Sequence, residues 1–370
     1  MTAVMPGGVA VARDLAGPAL AEAVSRLSAD VRAVAAYHLG LTDPDGRPRG
    51  DGEAGGKALR PALALLSARA ADAPAERGVP AAVAVELVHN FSLLHDDIMD
   101  GDTERRHRPT AWTVYGTGAA ILAGDALLVL AQDILLEEAA PQGRWAARCL
   151  SAAVQRLIAG QGADLAFERR DDVTLAECLA MAGDKTAALM ACACSIGAIY
   201  LGAPPGLAMG LAKFGAHAGL AFQLTDDLLG IWGAPEVTGK PVRSDLRARK
   251  KSLPVVAALT GAIQPGATQP WSPGTSSTGT NGTRSGAGTR GATEQGLELA
   301  ALLARPEPLT EDDLVLAAKL VEEAGGRKWA ETEADAQLAA AGTCLAETDM
   351  PDDVRAELLA IAEFITARQW

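Results

Sequence analysis

Apolar residues recur three and four positions apart through most of this chain, and this helical spacing narrows the possible folds more than any other feature. Alanine and leucine dominate the apolar set, and both favour helices. Aromatic residues, which favour strands, make up only 4% of the chain. No alternation of period two persists long enough to indicate a sheet. We therefore predict an all-α protein.

The periodicity predicts twelve helices, at residues 14–39, 57–71, 78–100, 117–139, 144–168, 173–201, 206–232, 251–263, 295–304, 310–324, 326–345 and 351–368. Residues 264–293 are rich in Gly, Ser, Thr and Pro and offer almost nothing apolar to bury, which indicates a flexible low-complexity loop. The helical pattern continues after that loop. We therefore predict one domain over residues 14–370 and a disordered stretch at 1–13.

Charge and hydropathy exclude several classes of partner. The net charge of −13 argues against nucleic acid, because a phosphate backbone demands an excess of Lys and Arg. No window of 18 residues is apolar without charges or glycine breaks, so we predict no transmembrane segment. The N-terminal residues lack the pattern of a signal peptide. The five cysteines form no CxxC pair, and we predict a reduced, cytoplasmic protein.

Three aspartates follow a strongly apolar helix within residues 85–109. Asp96 and Asp100 lie one helical turn apart and share a face, with Asp97 beside them. Carboxylates this close repel unless cations neutralise them, and Mg²⁺ is suited because it is held by one or two carboxylates plus substrate phosphates. Arg105 and Arg106 follow, and arginines bind phosphate. The segment indicates a metal and diphosphate site, and a solvated acidic turn is the alternative.

A second acidic group lies on the helix expected at residues 206–232. Gln223, Asp226 and Asp227 share one face of that helix, and two facing acidic patches can clamp one diphosphate through bridging metals. A lone buried aspartate is usually structural, so this segment gains its weight from the first cluster. Two basic residues also lie in otherwise apolar segments. Arg60 is at the start of a predicted helix, where exposed backbone amides favour an anion, and Lys185 interrupts an Ala-rich helix.

In these segments the chain resembles the trans-isoprenyl diphosphate synthase family, also called the polyprenyl synthetase family. Four motifs carry the likeness in the expected order: GGKALRP, LLHDDIMDGDTERRHRP, GDKTA, and FQLTDDLLG followed by TGKP. We take the resemblance to cover about residues 50–368. It implies a helical bundle around a central active-site cavity, usually a homodimer. The implied reaction is a Mg²⁺-dependent, head-to-tail condensation of isopentenyl diphosphate with an allylic diphosphate.

The resemblance also implies a role for each matching residue. About three Mg²⁺ ions would be bound by Asp96, Asp97, Asp100, Asp226 and Asp227. The implied contacts to the allylic diphosphate come from Arg105, Lys185, Thr186, Gln223 and Lys240. The residues implied to hold isopentenyl diphosphate are Lys57, Arg60, His89 and Arg106. The group implied to assist departure of the diphosphate is Asp96, Asp97, Asp100, Asp226 and Lys185.

Three positions bear on the length of the product and on the metal site. In this family the residues just before the first aspartate line the floor of the elongation cavity, and here they include Phe91 and the smaller Ser92. An aromatic residue there implies a short product, geranylgeranyl or farnesyl diphosphate. The usual second motif ends in a third aspartate, whereas this chain has Gly230, which puts one metal contact in doubt.

Three other functions compete with this one. A class I terpene cyclase shares the bundle and the first aspartate motif, and Gly230 keeps that alternative open, while the GGKALRP motif favours the prenyltransferase. A non-catalytic partner subunit of a prenyl synthase would be expected to lose its metal-binding aspartates, and here five remain. A helical scaffold with no ligand would leave both acidic groups unexplained.

Overall fold

The computed structural model describes residues 5–49, 58–137, 141–235, 241–261, 273 and 293–367. Its helices are α1 Gly7–Ser25, α2 Ala29–His38, α3 Leu59–Ala70, α4 Val79–Met99, α5 Ala111–Tyr115, α6 Thr117–Leu136, α7 Pro141–Phe167, α8 Leu175–Ala182, α9 Ala188–Tyr200, α10 Pro205–Trp232, α11 Ser244–Arg247, α12 Leu253–Thr260, α13 Glu294–Leu303, α14 Glu311–Glu323, α15 Gly326–Ala346 and α16 Asp352–Thr366. A 3₁₀ turn, Ala75–Gly78, precedes α4, and a π-helical segment, Gly183–Ala187, joins α8 to α9. The short strands β1 Glu104–Arg105 and β2 Arg108–Pro109 pair antiparallel.

The predicted all-α class is confirmed, and most predicted helices are present. The stretch 14–39, predicted as one helix, is two, because Ser28 adopts an extended conformation before α2. Helix α1 begins at Gly7, so the predicted disorder of residues 1–13 does not hold from there onward. Val9 and Ala12 are fully buried, and this burial orders the first turns of α1. The predicted loop at 264–293 lies, apart from residues 273 and 293, outside the described residues.

Residue contacts divide the chain into two compact units, so the prediction of a single domain stays a prediction. The first unit comprises Met1–Val154, Ala191–Ala212 and Leu345–Ile361. Helix α4 lies at its centre and packs against α1, α3 and α6. Gly124 lets α6 approach α4 closely, because a Cβ at Gly124 would lie 2.3 Å from His95 Nε2. This packing buries the apolar upstream part of α4 and fixes the aspartates at its end.

The second unit comprises Gln155–Met190, Lys213–Cys344 and Ala362–Trp370. Its core joins the end of α10 to α12, α13 and α14 through buried side chains that include Ile231, Val255, Leu299, Leu314 and Val321. Burial of such a set is the main favourable term in folding. The acidic residues of α10 are therefore anchored on a packed element.

Two helical stretches among the described residues have the length and composition of a membrane span. Thr117–Leu136 is one, and Leu175–Tyr200 is the other. The second stretch is 89% buried within the protein, as expected of a core helix, and the first is 44% buried. Length and composition alone do not establish a transmembrane segment.

Candidate active site

The first acidic group lies at the end of α4, where its three aspartates differ in exposure. Asp97 is 1% exposed, Asp96 is half-buried and Asp100 is exposed. Arg105 donates from Nε to Asp97 Oδ1 over 2.7 Å and from Nη2 over 2.6 Å. Burial raises the pKa of Asp97, although the Arg105 guanidinium acts in the opposite direction. Asp97 is thus held inward, while Asp96 and Asp100 remain accessible to a ligand.

The strands β1 and β2 explain how Arg105 reaches Asp97. The two residues between the strands, Arg106 and His107, have φ values of 52° and 59°. A two-residue hairpin turn of this hand requires positive φ at both central residues. The turn folds the arginine-rich segment back towards the end of α4.

Basic side chains gather beside this hairpin in the first unit. The pKa of His89 lies well below its ordinary value because of burial and then the charges of Arg60, Arg106 and Arg105. Burial raises the pKa of Glu86, and the same Arg60 and Arg106 oppose that rise. Because the charges of these arginines shift the pKa values of His89 and Glu86, the predicted residues Arg60, His89, Arg105 and Arg106 lie near one another. Lys57 lies outside the described residues.

A cavity of about 140 Å³ opens against the hairpin. Its lining includes Asp97, Arg105, Arg106, Arg108 and His38. Three guanidinium groups face one carboxylate there, so the cavity favours an anion.

The second acidic group lies near the C-terminal end of α10, and here too one aspartate is buried and one is exposed. Asp226 is exposed, whereas Asp227 is 4% exposed. Gln223 Nε2 donates to Asp227 Oδ1 over 2.8 Å, and the amide of Leu253 donates to Asp227 Oδ2 over 2.8 Å. Burial raises the pKa of Asp227 to about 6, against the nearby charge of Lys250.

Lys250 belongs to this group, and the sequence reasoning left it out of the site. Burial alone would lower the pKa of Lys250, but the carboxylates of Asp227, Asp245, Asp164 and Asp226 outweigh it and raise the pKa. A cation surrounded by carboxylates is a candidate ligand for a phosphate. The signal that could have found it is the adjacent pair Lys250 and Lys251 at the start of a predicted helix, which alone is ordinary for surface lysines.

Lys185 and Thr186 lie in the π-helical segment Gly183–Ala187. Lys185 Nζ contacts Asp164 Oδ2 at 2.6 Å, and Thr186 Oγ1 donates to Gln223 Oε1 over 2.6 Å. The structure therefore joins Thr186, Gln223 and Asp227 in one chain of hydrogen bonds. Helical bulges of this kind occur frequently at functional sites. Lys240 lies outside the described residues.

Gly230, which stands where a third aspartate was expected, has a carboxylate beside it. A Cβ at Gly230 would lie 2.4 Å from Cγ of Asp245, a residue of α11. The space for a side chain at position 230 is therefore taken by Asp245. The second acidic group thus has a third carboxylate, supplied by another helix.

The carboxylates of both acidic groups are oxygen donors of the kind that a divalent cation prefers. Among the described residues, no set of three or more His, Cys, Asp or Glu side chains is gathered as a complete metal cage. Mg²⁺ needs only one or two carboxylates when waters and substrate phosphates supply the rest. Asp96, Asp100 and Asp226 offer hard oxygen donors at accessible positions. The residues present fit a cation that binds together with a diphosphate.

The two residues predicted to limit product length are both buried in α4. The Phe91 ring lies edge-on to the His95 ring, with centroids 4.9 Å apart. Ser92 Oγ donates to the carbonyl of His89 over 2.8 Å. Both are thus fixed in position on the helix that carries the first aspartates.

Known proteins resemble the chain along most of its length. The polyprenyl synthetase family model matches residues 52–268. A (2E,6E)-farnesyl diphosphate synthase of Mycobacterium tuberculosis is 45% identical over 97% of this chain and 92% of its own. A geranylgeranyl diphosphate synthase of the same organism is 41% identical over 97% of this chain and 92% of its own. The crystal structure of a polyprenyl synthetase from Streptomyces coelicolor A3(2) is 47% identical, with a TM-score of 0.84 over 96% of this chain and 98% of that one.

Proposed function

Because the chain belongs to the polyprenyl synthetase family and is a short-chain prenyltransferase, we propose that it condenses isopentenyl diphosphate with an allylic diphosphate, head to tail. The proposed product is farnesyl or geranylgeranyl diphosphate, the products in the names of the two Mycobacterium relatives. The observation that carries the proposal is the pair of acidic groups, each with one buried and at least one accessible aspartate, beside clustered basic residues.

Members of this family use a divalent metal. We propose that the metal here is Mg²⁺, about three ions, and that the aspartates of both groups bind it together with the substrate diphosphate. The proposed ligands are Asp96, Asp97, Asp100, Asp226 and Asp227. Bound Mg²⁺ would supply positive charge against the departing diphosphate.

The basic side chains divide between the two substrates in this proposal. Those proposed for the allylic diphosphate are Arg105, Lys185, Thr186, Gln223 and Lys240. Those proposed for isopentenyl diphosphate are Lys57, Arg60, His89 and Arg106. Lys250 joins the first set, because carboxylates on several sides keep its ammonium charged. Cations fixed before the substrate arrives stabilise the departing diphosphate without reorganising in the reaction.

The reaction then follows from these positions. The allylic carbon–oxygen bond breaks as Lys185 and Arg105 stabilise the diphosphate that leaves. The double bond of isopentenyl diphosphate, held by Arg60 and His89, attacks the allylic cation. A proton is lost from the new adduct, and the released diphosphate is the proposed base. The proposed elongation floor at Phe91 keeps water from the cation and limits growth of the chain.

Substitution of one accessible aspartate from each group tests the proposal. We expect Asp96→Asn and Asp226→Asn each to lower kcat by about 100-fold or more, because each loses a charge that stabilises the transition state. Both should also lose the rise in melting temperature that pyrophosphate and Mg²⁺ together give the wild type. Asp14→Asn, at an exposed aspartate of α1, is the control. Variants with unchanged kcat and an unchanged melting shift would contradict the assignment.

We further propose that the protein is a cytoplasmic homodimer. Support for the dimer comes from α6, where Leu122, Val129 and Leu136 are 61%, 69% and 53% exposed. An apolar stripe of this kind on a helix indicates a surface that another protein covers. A second copy of the chain is the proposed partner, and a solution molar mass of one chain, 37.9 kDa, would contradict it. The location rests on the sequence alone.

A further inference from the structure

The cavity beside the β1–β2 hairpin contains a histidine to which no role has been given. His38 is the last residue of α2 and lines the cavity with Arg105, Arg106 and Arg108. The cavity volume of about 140 Å³ is several times the roughly 10–15 Å³ that the centre of one water molecule requires. It has room for a small polyatomic anion.

The ring of His38 carries a buried nitrogen, Nε2, that makes no hydrogen bond with the described residues. Buried polar atoms in folded proteins are almost always paired, and an unpaired one is costly. A core histidine with only a structural role would be expected to have Nε2 bonded within the protein. Arg60 Nε, in the same basic group, is also buried without a partner. An anion in the cavity would supply the acceptor that His38 Nε2 lacks, whereas Asp97 Oδ2, which is also buried without a partner and lines the cavity, is placed to accept.

The position of His38 is fixed by the same hairpin that carries the arginines. Tyr37 donates its hydroxyl to the carbonyl of Pro109 over 2.8 Å. Arg108 donates to the carbonyls of Tyr37 and Thr42, each over 3.2 Å, and its guanidinium lies 4.3 Å from the Tyr37 ring centroid. These contacts tie the end of α2 to β2. The backbone at His38 is therefore held against the hairpin, with its side chain at the wall of the cavity.

Burial and the charges around His38 keep its ring neutral. Burial, followed by the charges of Arg105, Arg106 and Arg108, lowers the pKa of His38 to about 3. The Asp97 carboxylate also lines the cavity and is bonded to Arg105. A neutral imidazole has one N–H and can donate it to a phosphate oxygen without a proton transfer. The arginines would supply the charge, and His38 would supply a directed hydrogen bond.

We propose that His38 is a further substrate-binding residue, which donates from Nε2 to the diphosphate of isopentenyl diphosphate. The choice of substrate rests on the proposed function, in which Arg60, His89 and Arg106 hold that diphosphate. His38 lies near this set, since a proton on His38 would lower the pKa of His89 and the charge of Arg106 lowers the pKa of His38.

The test compares His38→Leu, which removes the donor, with His38→Gln, which keeps an N–H at similar reach. We expect His38→Leu to raise KM for isopentenyl diphosphate about tenfold and to change KM for the allylic substrate by less than about twofold, because one bond to a charged group is lost. His38→Gln should recover most of the loss. His107→Asn, at an exposed position of the same hairpin with a φ that asparagine tolerates, is the matched control and should behave as the wild type.

A second readout separates this proposal from the proposed function. Inorganic pyrophosphate without metal should raise the melting temperature of the wild type and of His38→Gln more than that of His38→Leu. An equal rise in all three would overturn the role of His38, as would an equal increase in both KM values for His38→Leu. A wild type that binds pyrophosphate through His38 but never consumes isopentenyl diphosphate would refute the proposed reaction and leave the anion contact standing.

Discussion

At the scale of single residues, Gly230 decides how the second acidic group is built. A side chain at this position of α10 would collide with the Asp245 carboxylate, whose Oδ2 lies 2.4 Å from where the Cβ would be. We therefore expect Gly230→Asp to lower the free energy of unfolding by about 1–3 kcal/mol, through overpacking and repulsion between carboxylates. Thermal or urea unfolding measures the change.

Two further variants make that expectation specific. Gly162→Asp places the same side chain on α7 where no described atom lies within 4 Å of the Cβ position, so it should be close to neutral. The double variant Gly230→Asp/Asp245→Gly should regain part of the lost stability. If Gly230→Asp is as stable as the wild type, Asp245 does not occupy the space of the expected third aspartate.

Much of the candidate site could be predicted at this scale, although the direction in which each side chain points could not. The sequence identified Asp96, Asp97, Asp226 and Asp227 as acidic pairs on apolar helices. It could not show that Asp97 and Asp227 are the buried members, because their partners come from other segments. Lys250 was left out of the predicted site for the same reason, since a lysine at the start of a helix does not stand out locally.

At the scale of elements, the approach of α7 to the π-helical segment positions Lys185. A Cβ at Gly160 would lie 2.3 Å from the backbone nitrogen of Lys185 and 2.7 Å from its Cα. We expect Gly160→Ala to displace this segment, to lower the melting temperature, and to lower kcat/KM for the allylic substrate about tenfold or more. Differential scanning fluorimetry and steady-state kinetics measure both effects.

The same helix supplies the control for that substitution. Gly162→Ala has open space around the new Cβ, and alanine in place of glycine inside a helix gains up to about 1 kcal/mol. It should therefore be as stable as the wild type or more stable, with normal kinetics. If Gly160→Ala also keeps the stability and kinetics of the wild type, the close approach of α7 has no part in positioning Lys185.

Helical periodicity predicted the longer elements well and their interruptions poorly. The break before α2 depends on one extended residue, Ser28, within an otherwise helical pattern. The π-helical segment depends on contacts such as that of Gly160 with Lys185, which local sequence does not encode. The β1–β2 hairpin has non-glycine residues, Arg106 and His107, at positive φ, so the usual hairpin signal was absent.

At the scale of the whole molecule, composition and periodicity sufficed for the all-α class. The grouping of residues into two compact units depends on contacts between distant parts of the chain, and no local pattern reports these. The order of the four motifs from GGKALRP to TGKP carried the family assignment, and the relatives confirm it over almost the full length.

The most direct test of the central claim is the product that the unmodified protein makes. The purified chain would be incubated with Mg²⁺ and isopentenyl diphosphate, together with dimethylallyl, geranyl or farnesyl diphosphate in parallel, and the products identified by mass spectrometry. The account predicts linear diphosphates that end at farnesyl or geranylgeranyl diphosphate and that do not form when a chelator removes the metal. Isopentenyl diphosphate that is never consumed, or cyclic hydrocarbons made from the allylic substrate alone, would contradict it.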